Sequence, residues 1–102
     1  MQAHKNKRFE SILQSNLNTI LARDFYVPGA IVTILGVSVS NKDLDAAVRI
    51  GIIPYEKELE VYAELRRQEP HIRHAILKAT RLRHVPKFHF QIVQETNPEE
   101  KG

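Results

Sequence analysis

Two runs of β-branched residues separated by a short turn constrain what this chain can fold into more than any other feature of its sequence. β-Branched side chains favour strands, because they pack well against their neighbours on a pleated surface. The residues between the runs, Asn41-Lys42-Asp43, have side chains typical of turns. We therefore predict an antiparallel hairpin with one strand over residues 30–40 and the next over residues 44–53. The side chains expected on its buried face are Val37, Val39, Ala46, Val48, Ile50 and Ile52.

Helical periodicity flanks the hairpin on both sides. Apolar residues between Phe9 and Leu21 recur with a period of 3.6, which predicts a first helix over residues 5–22. Pro54 ends the second strand because proline cannot donate to a ladder, and a second helix is predicted over residues 55–68. Pro70 is expected to stop that helix and to begin a third over residues 71–82. The predicted buried stripes are Leu59, Tyr62, Ala63 and Leu65 in the second helix, and Ile72, Ala75, Ile76, Ala79 and Leu82 in the third.

A third strand is predicted over residues 87–94, where Phe88 and Phe90 alternate with polar side chains. This alternation favours packing of both rings in the core over stacking on bases. The predicted order is α-β-β-α-α-β, an α+β fold in which helices pack on one face of a three-stranded sheet. Residues 1–94 are expected to form a single domain, and residues 95–102 a disordered polar tail.

The positive charge of the chain is concentrated in one segment. The sequence contains 15 Lys and Arg against 12 Asp and Glu, a net charge of +3. Residues 64–87 contain seven basic residues, and Glu64 and Glu69 are their only acidic residues. A localised basic patch is typical of a nucleic-acid binder, although a solvated helix face that happens to be basic would have the same composition. On the helical wheel His71, His74, Lys78 and Arg81 lie opposite the predicted core face of the third helix.

The residues around this basic segment resemble the ribosome-binding factor A family. That family has an Ile-Arg pair in its last helix, then Arg-Leu-Arg, one residue, Val-Pro and an aromatic strand. Here the matching residues are Ile72-Arg73, Arg81-Leu82-Arg83, Val85-Pro86, Phe88 and Phe90. The resemblance covers residues 5–94 and includes the strands of the hairpin. Where the family has an Ala-x-Gly kink between two helices, this chain has Gln68-Glu69-Pro70.

The resemblance implies a type II KH fold and a function on the bacterial ribosome. It implies binding to small-subunit rRNA and to the immature small (30S) ribosomal subunit, a role in late maturation of that subunit, and a part in processing of 16S rRNA. The reasoning from residues alone keeps two alternatives open. One is a generic KH-like nucleic-acid-binding module, and the other is a protein-interaction domain whose basic face meets an acidic partner.

RNA contact needs cations for phosphates, and an ordinary KH domain also clamps the backbone with a Gly-x-x-Gly loop. The four glycines of this chain form no such loop, so we expect recognition by charge and shape. Each candidate has the alternative of being solvated surface charge, and Arg73 has the further alternative of an ion pair with Glu69, four residues earlier. The candidates are Arg66, Arg67, Arg73, His74, Lys78, Arg81, Arg83 and Lys87, with Lys5, Lys7 and Arg8 as a second patch.

The sequence has no pattern typical of an enzyme. It contains no cysteine, no phosphate-binding loop and no nucleophile motif. His71 and His74 are three residues apart, but no third ligand stands at a supporting spacing, so we expect no metal and no cofactor. Neither a signal peptide nor a membrane span is predicted. We expect a monomeric, cytoplasmic protein.

Overall fold

Two helices pack against one face of a three-stranded sheet in this computed structural model. The structure describes the backbone of residues 3–40 and 42–94, and the side chains of residues 7–40 and 42–94. The tail predicted at residues 95–102 lies outside these ranges. The elements are α1 (Ala3–Asp24), β1 (Ile31–Val39), β2 (Asp45–Ile53), α2 (Glu58–Ala79) and β3 (Lys87–Ile92), with a 3-10 turn at Tyr55–Lys57 before α2. The predicted α+β class, with its sheet and one-sided helices, is confirmed.

The predicted hairpin is confirmed, and it contains one irregularity. β1 and β2 are antiparallel, and their register shifts between Ile34 and Gly36. Leu35 is therefore the extra residue of a β-bulge opposite Arg49. Gly36 leaves room for the Arg49 side chain, because a Cβ at Gly36 would lie 2.0 Å from Arg49 Nη2. The side chains predicted to face the core of the hairpin are all buried.

β3 returns beside β2 and runs parallel to it, so that the strand order is β1-β2-β3. Phe88 and Phe90 are 3% and 5% exposed, which confirms that both rings belong to the core. His89, which lies between them, points to the other face of the sheet and is exposed. Since both helices lie on the inner face, the outer face of the sheet is open to solvent along all three strands.

The helix break predicted at Pro70 is wrong, because α2 is continuous. The separate helices predicted over residues 55–68 and 71–82 are thus one element. Proline has no backbone N–H, so the carbonyl of Arg66 loses its intrahelical partner. Pro70 lies on the exposed side of α2, where solvent reaches such a carbonyl. Apolar side chains on both sides of Pro70 pack on the same sheet, and this packing maintains the helix across the proline.

The buried stripe of α2 also differs from the prediction. Leu59 is 83% exposed and Ala63 is exposed, although both were expected to face the core. Ala79 is exposed as well. A continuous helix has one phase along its whole length, and Ile72 and Ile76, which were predicted correctly, fix that phase. The buried residues of α2 are Val61, Leu65, Glu69, Ile72 and Ile76.

Each outer edge of the sheet is capped by a glutamate from the helix beside it. Glu10 Oε2, on α1, accepts a hydrogen bond of 2.8 Å from the backbone N–H of Val39 at the edge of β1. Glu69 Oε2, on α2, accepts one of 2.8 Å from the backbone N–H of Phe88 at the edge of β3. Both N–H groups point away from the ladder, so no strand is available to accept from them. The carboxylates remove two unpaired donors that would otherwise be exposed at the sheet edges.

Glu69 is a charged residue in a core position of α2, and it is 6% exposed. Its second oxygen, Oε1, accepts a hydrogen bond of 3.1 Å from Arg73 Nη2. The ion pair between Arg73 and Glu69 that the spacing allowed is therefore present. It also reaches beyond its helix, because the same carboxylate binds Phe88 of β3. One buried side chain thus joins α2, Arg73 and the start of the third strand.

We expect Glu69→Ala to lower the free energy of unfolding by about 2–3 kcal/mol, because it leaves the backbone N–H of Phe88 and the Arg73 guanidinium without their acceptor. Glu69→Gln should cost about half as much, since its amide oxygen still accepts from Phe88. Urea unfolding followed by circular dichroism measures both effects. Glu60→Ala, which removes an exposed carboxylate from the same helix, is the matched control and should change stability little. Equal stability of Glu69→Ala and the parent chain would contradict this role.

Candidate nucleic-acid interface

The end of β1, the turn residues 40 and 42–44, and the starts of β2 and β3 lie together at one end of the sheet, here called the hairpin end. The N-terminal half of α1 reaches this end, since Glu10 bonds the last residue of β1. The connection between α2 and β3, residues 80–86, reaches it as well. Strand pairing and the Glu10 hydrogen bond bring these elements together, although they are distant in sequence.

Two hydrogen bonds hold the connection at residues 80–86 against the hairpin turn. His84 Nε2 lies 3.0 Å from the carbonyl oxygen of Asp43, and the backbone N–H of Lys87 donates to the carbonyl of Leu44 at 3.0 Å. The Phe9 ring of α1 lies 6.4 Å from the His84 ring, measured between centroids. The start of α1, the hairpin turn and the connection therefore form one continuous surface.

The turn itself is stabilised by its own side chains. Ser40 Oγ accepts hydrogen bonds of 3.3 Å from the backbone N–H groups of Leu44 and Asp45. Asp43 has a φ of +59°, in the left-handed region that aspartate tolerates better than most residues. This local chemistry fixes the carbonyl to which His84 is bound.

Apolar and basic residues alternate in the connection, and the structure separates their roles. Leu82 and Val85 pack against the core, and Pro86 is fully buried. Arg81 and Arg83 are exposed. The apolar members of the Arg-Leu-Arg and Val-Pro pattern anchor the segment, so its two arginines project from a fixed backbone.

Arg81 does not lie on the helical face where it was predicted. α2 ends at Ala79, because Thr80 has an extended backbone with φ −126° and ψ 176°. Thr80 Oγ1 donates to the carbonyl of Ile76 at 2.9 Å and accepts from the N–H of Leu82 at 3.3 Å, which closes the helix. The rest of the predicted face is present as an exposed stripe of His71, His74 and Lys78, and the exposed Arg67 continues it towards the start of α2.

Three of the candidate arginines in the middle of α2 have partners on their own helix. Arg66 lies over the ring of Tyr62, with its guanidinium carbon 5.9 Å from the ring centre. Arg67 donates to Glu64, and Arg73 donates to Glu69. Hydrogen bonds from Arg67 and Gln68 lower the pKa of Glu64 from 4.5 to about 2. These arginines are about 20 Å or less from the C-terminal end of α2, given a rise of 1.5 Å per residue.

The remaining candidates with described side chains are exposed, and no ion pair involves them within the described part of the chain. Five of them lie at the hairpin end, where the start of α1 meets the connection and β3. Lys78 and His74 extend the surface along α2. The side chain of Lys5 lies outside the described residues, although its backbone belongs to α1. The five cations at the hairpin end are Lys7, Arg8, Arg81, Arg83 and Lys87.

One cation of this surface was not among the candidates predicted from the sequence. Lys42 is exposed in the hairpin turn, next to the starts of β2 and β3. Its position in the turn of a predicted hairpin could have indicated this, because a third strand that pairs with β2 begins beside that turn. His89 also belongs here, since its Nε2 lies 2.8 Å from Asp45 Oδ1 across the strands.

Acidic groups at the hairpin end are few, and Glu10 and Asp45 are engaged locally. Glu10 accepts from the Val39 N–H, and Asp45 pairs with His89. Asp43 is half-buried, with Oδ1 enclosed by protein. The exposed charge of this end is therefore mainly positive, which suits a polyanion. No cluster of three or more metal-ligating side chains is present within residues 7–40 and 42–94.

The family model for ribosome-binding factor A matches residues 5–101, nearly the whole sequence. The chain belongs to the ribosome-binding factor A family. The members of this family are ribosome-binding factors and not enzymes, so the chain is not an enzyme. Within the described ranges, neither helix is long and apolar enough to span a membrane.

Individual members of the ribosome-binding factor A family are similar to the chain in sequence and in structure. Ribosome-binding factor A of Anaplasma marginale (strain St. Maries) is 31% identical over 91 residues, which are 86% of this chain and 76% of that relative. The crystal structure of ribosome-binding factor A from Thermus thermophilus aligns with a TM-score of 0.70 at 22% identity, covering 83% of this chain and 92% of that one.

A second Thermus thermophilus structure shares the fold. It is a homology model of ribosome-binding factor A fitted into the cryo-EM map of a 30S complex, and it aligns with a TM-score of 0.63 at 18% identity. The alignment covers 88% of this chain and 92% of that one. At these identities the two Thermus structures establish the fold, and the family assignment rests on the family model and the sequence relative.

The geometry separates structural arginines from arginines available to a ligand. We expect Arg73→Ala to lower the free energy of unfolding by about 1–2 kcal/mol, because it leaves the buried Glu69 carboxylate without its charge partner. Arg81→Ala/Arg83→Ala should stay within about 0.5 kcal/mol of the parent chain. Thermal and urea unfolding of the three proteins measures this difference. A large loss in the double variant would mean that these arginines support the fold instead.

Proposed function

We propose that this chain assists late maturation of the small (30S) ribosomal subunit, including 16S rRNA processing, by binding small-subunit rRNA with the basic surface at its hairpin end. The observation that carries the proposal is the convergence of five exposed cations there, on segments far apart in sequence. The chain is proposed to act as a cytoplasmic monomer. A relative with the same fold, fitted into the map of a 30S complex, supports the small subunit as the partner.

Phosphate groups are the ligands that fit this surface best. Arg81 and Arg83 present planar guanidinium groups, which bind phosphate oxygens through two parallel hydrogen bonds. Lys7, Arg8 and Lys87 add point charges around them. The cations project from a helix, a connection and a strand, so they cover an area rather than a line. Such a surface suits the backbone of folded RNA, which is recognised largely through shape and phosphate contacts.

The arginines in the middle of α2 are proposed to contribute less. Arg67 and Arg73 would have to leave carboxylates on their own helix before binding phosphate. Arg81 and Arg83 have no such competitor among the described residues. The predicted order of importance therefore places the connection and the start of α1 ahead of the middle of α2.

The test is a titration of the protein against purified small ribosomal subunits at several salt concentrations. We expect affinity to fall linearly with salt on logarithmic axes, with a slope of about 0.7–0.9 for each phosphate neutralised. Arg81→Glu/Arg83→Glu should weaken binding at least tenfold and flatten the slope by roughly two phosphates. Arg66→Glu/Arg67→Glu is the matched control, since it reverses two exposed arginines elsewhere and should have a smaller effect.

Other outcomes separate the remaining functions. Equal affinity for small subunits, unrelated structured RNA and duplex DNA would indicate a generic nucleic-acid-binding module. A lack of binding to any RNA at low salt would favour a protein-interaction domain with an acidic partner. Binding to small subunits that the connection variant leaves unchanged would remove the hairpin end as the interface.

A further inference from the structure

The outer face of the sheet carries a group of exposed aliphatic side chains that the RNA surface does not use. Ile31 and Ile53 face each other across β1 and β2, and they are 63% and 65% exposed. Leu35, in the bulge of β1, is 46% exposed, and Val93, just after β3, is 38% exposed. These four residues are here called the outer apolar patch.

The strand register makes the patch continuous. Gly51 of β2 stands at its centre, and a Cβ at Gly51 would lie 3.6 Å from Leu35 Cδ1. The N–H of Val93 donates to the carbonyl of Ile50 at 2.8 Å, which extends the β3 ladder and places Val93 beside Gly51. Gly51 adds no side chain between Leu35 and Val93, and the exposed Thr33 stands opposite it between Ile31 and Leu35. Contiguous exposed apolar groups of this kind mark interaction sites more often than isolated ones do.

The patch lies at the end of the sheet opposite the hairpin end, where residues 53–60 carry mainly negative charge. Arg49, also on the outer face, donates to Ser38 Oγ at 3.2 Å on the side of the hairpin end. Gln94, next to Val93, donates to Glu58 Oε1 at 3.0 Å, so the acidic start of α2 borders the patch. Glu56 is exposed in the 3-10 turn that follows β2. Residues 53–60 contain three glutamates and one lysine, and that lysine is paired with Glu60. Phosphate groups would be repelled from this rim, whereas a cationic segment would be attracted.

We propose that the outer apolar patch docks a short basic segment of a protein in the small subunit, with aliphatic anchors on the patch and cations on the acidic rim. This inference rests on the proposed function and adds a second contact to it. None of the four residues of the patch offers an aromatic ring for base stacking. Its four residues are far fewer than the roughly 20–30 per side of a stable dimer interface, so a second copy of the chain fits poorly.

The molecule would then have a binding surface at each end of its sheet. The hairpin end binds rRNA through cations, and the outer apolar patch binds a protein segment through aliphatic contacts and carboxylates. Small subunits offer both kinds of ligand, but rRNA stripped of its proteins offers only the first. Variants of the patch should therefore discriminate between these two binding partners, and variants of the hairpin end should not.

The first experiment compares the affinity of each variant for intact small subunits and for protein-free small-subunit rRNA. Ile31→Ser/Ile53→Ser should bind intact subunits at least tenfold more weakly and bind the rRNA like the parent chain. Leu77→Ser is the matched control, since it removes an exposed leucine from α2 on the other face of the sheet and should bind both normally. Unfolding curves confirm that each variant is folded. Unchanged binding of the patch variant to intact subunits would overturn the proposal.

A charge reversal at the rim decides which macromolecule occupies the patch. E56K should weaken binding to intact subunits severalfold if the occupant is a basic protein segment, even though it makes the chain more cationic. Tighter binding would place RNA at this surface and overturn the proposal. The proposed function and the docking proposal can be tested separately. If the parent chain itself does not bind small subunits, the proposed function is contradicted.

Photo-cross-linking identifies the occupant directly. A photoreactive residue at position 53, bound to purified small subunits, should give an adduct that survives ribonuclease and contains a subunit protein with a basic segment. The same group at position 77 is the control and should not give this adduct. An adduct with rRNA, or with a second copy of the chain, would overturn the proposal.

Discussion

The position of the connection at residues 80–86, and with it the basic surface at the hairpin end, depends on the hydrogen bonds of the Glu69 carboxylate. This carboxylate is buried in the packing face of α2, binds Arg73 on its own helix and accepts from the N–H of Phe88 at the edge of β3. A charge in such a position is tolerated only because both oxygens have donors. Its contact with Phe88 joins the helix to the third strand, and this joint fixes both ends of the connection between them.

The fixed backbone of residues 80–86 explains why Arg81 and Arg83 form a defined basic surface. Thr80 closes α2, Leu82 and Pro86 anchor the backbone, and His84 ties it to the hairpin turn. Exposed arginines between such anchors lose little freedom on binding, because their backbone is already ordered. α1 joins them through a second carboxylate, since Glu10 caps the opposite edge of the sheet. The same device therefore protects both sheet edges and assembles the basic end.

The sheet gives the molecule a polarity along its strands. One end combines the hairpin turn, the connection and the start of α1, and is rich in cations. The other combines the ends of β2 and β3 with the acidic start of α2, and it carries the outer apolar patch. Phosphates and a basic protein segment would approach opposite ends without competing. Under the two proposals, this polarity would let the chain contact two kinds of component in the same particle.

The sequence by itself determined the hairpin, because alternation has a period of two and allows one assignment of faces for residues such as Val37 and Val48. It also determined the family, through a pattern whose apolar members anchor the connection. It did not determine the phase or length of α2. A proline is a strong local signal for a break, but packing on both sides of Pro70 outweighed it. The pairing of Arg73 with Glu69 was open to the sequence, because the two residues are four apart on one helix. Only the tertiary structure decided that Glu69 also binds the start of β3 and that the connection's arginines meet the start of α1, because these contacts join segments far apart in the chain.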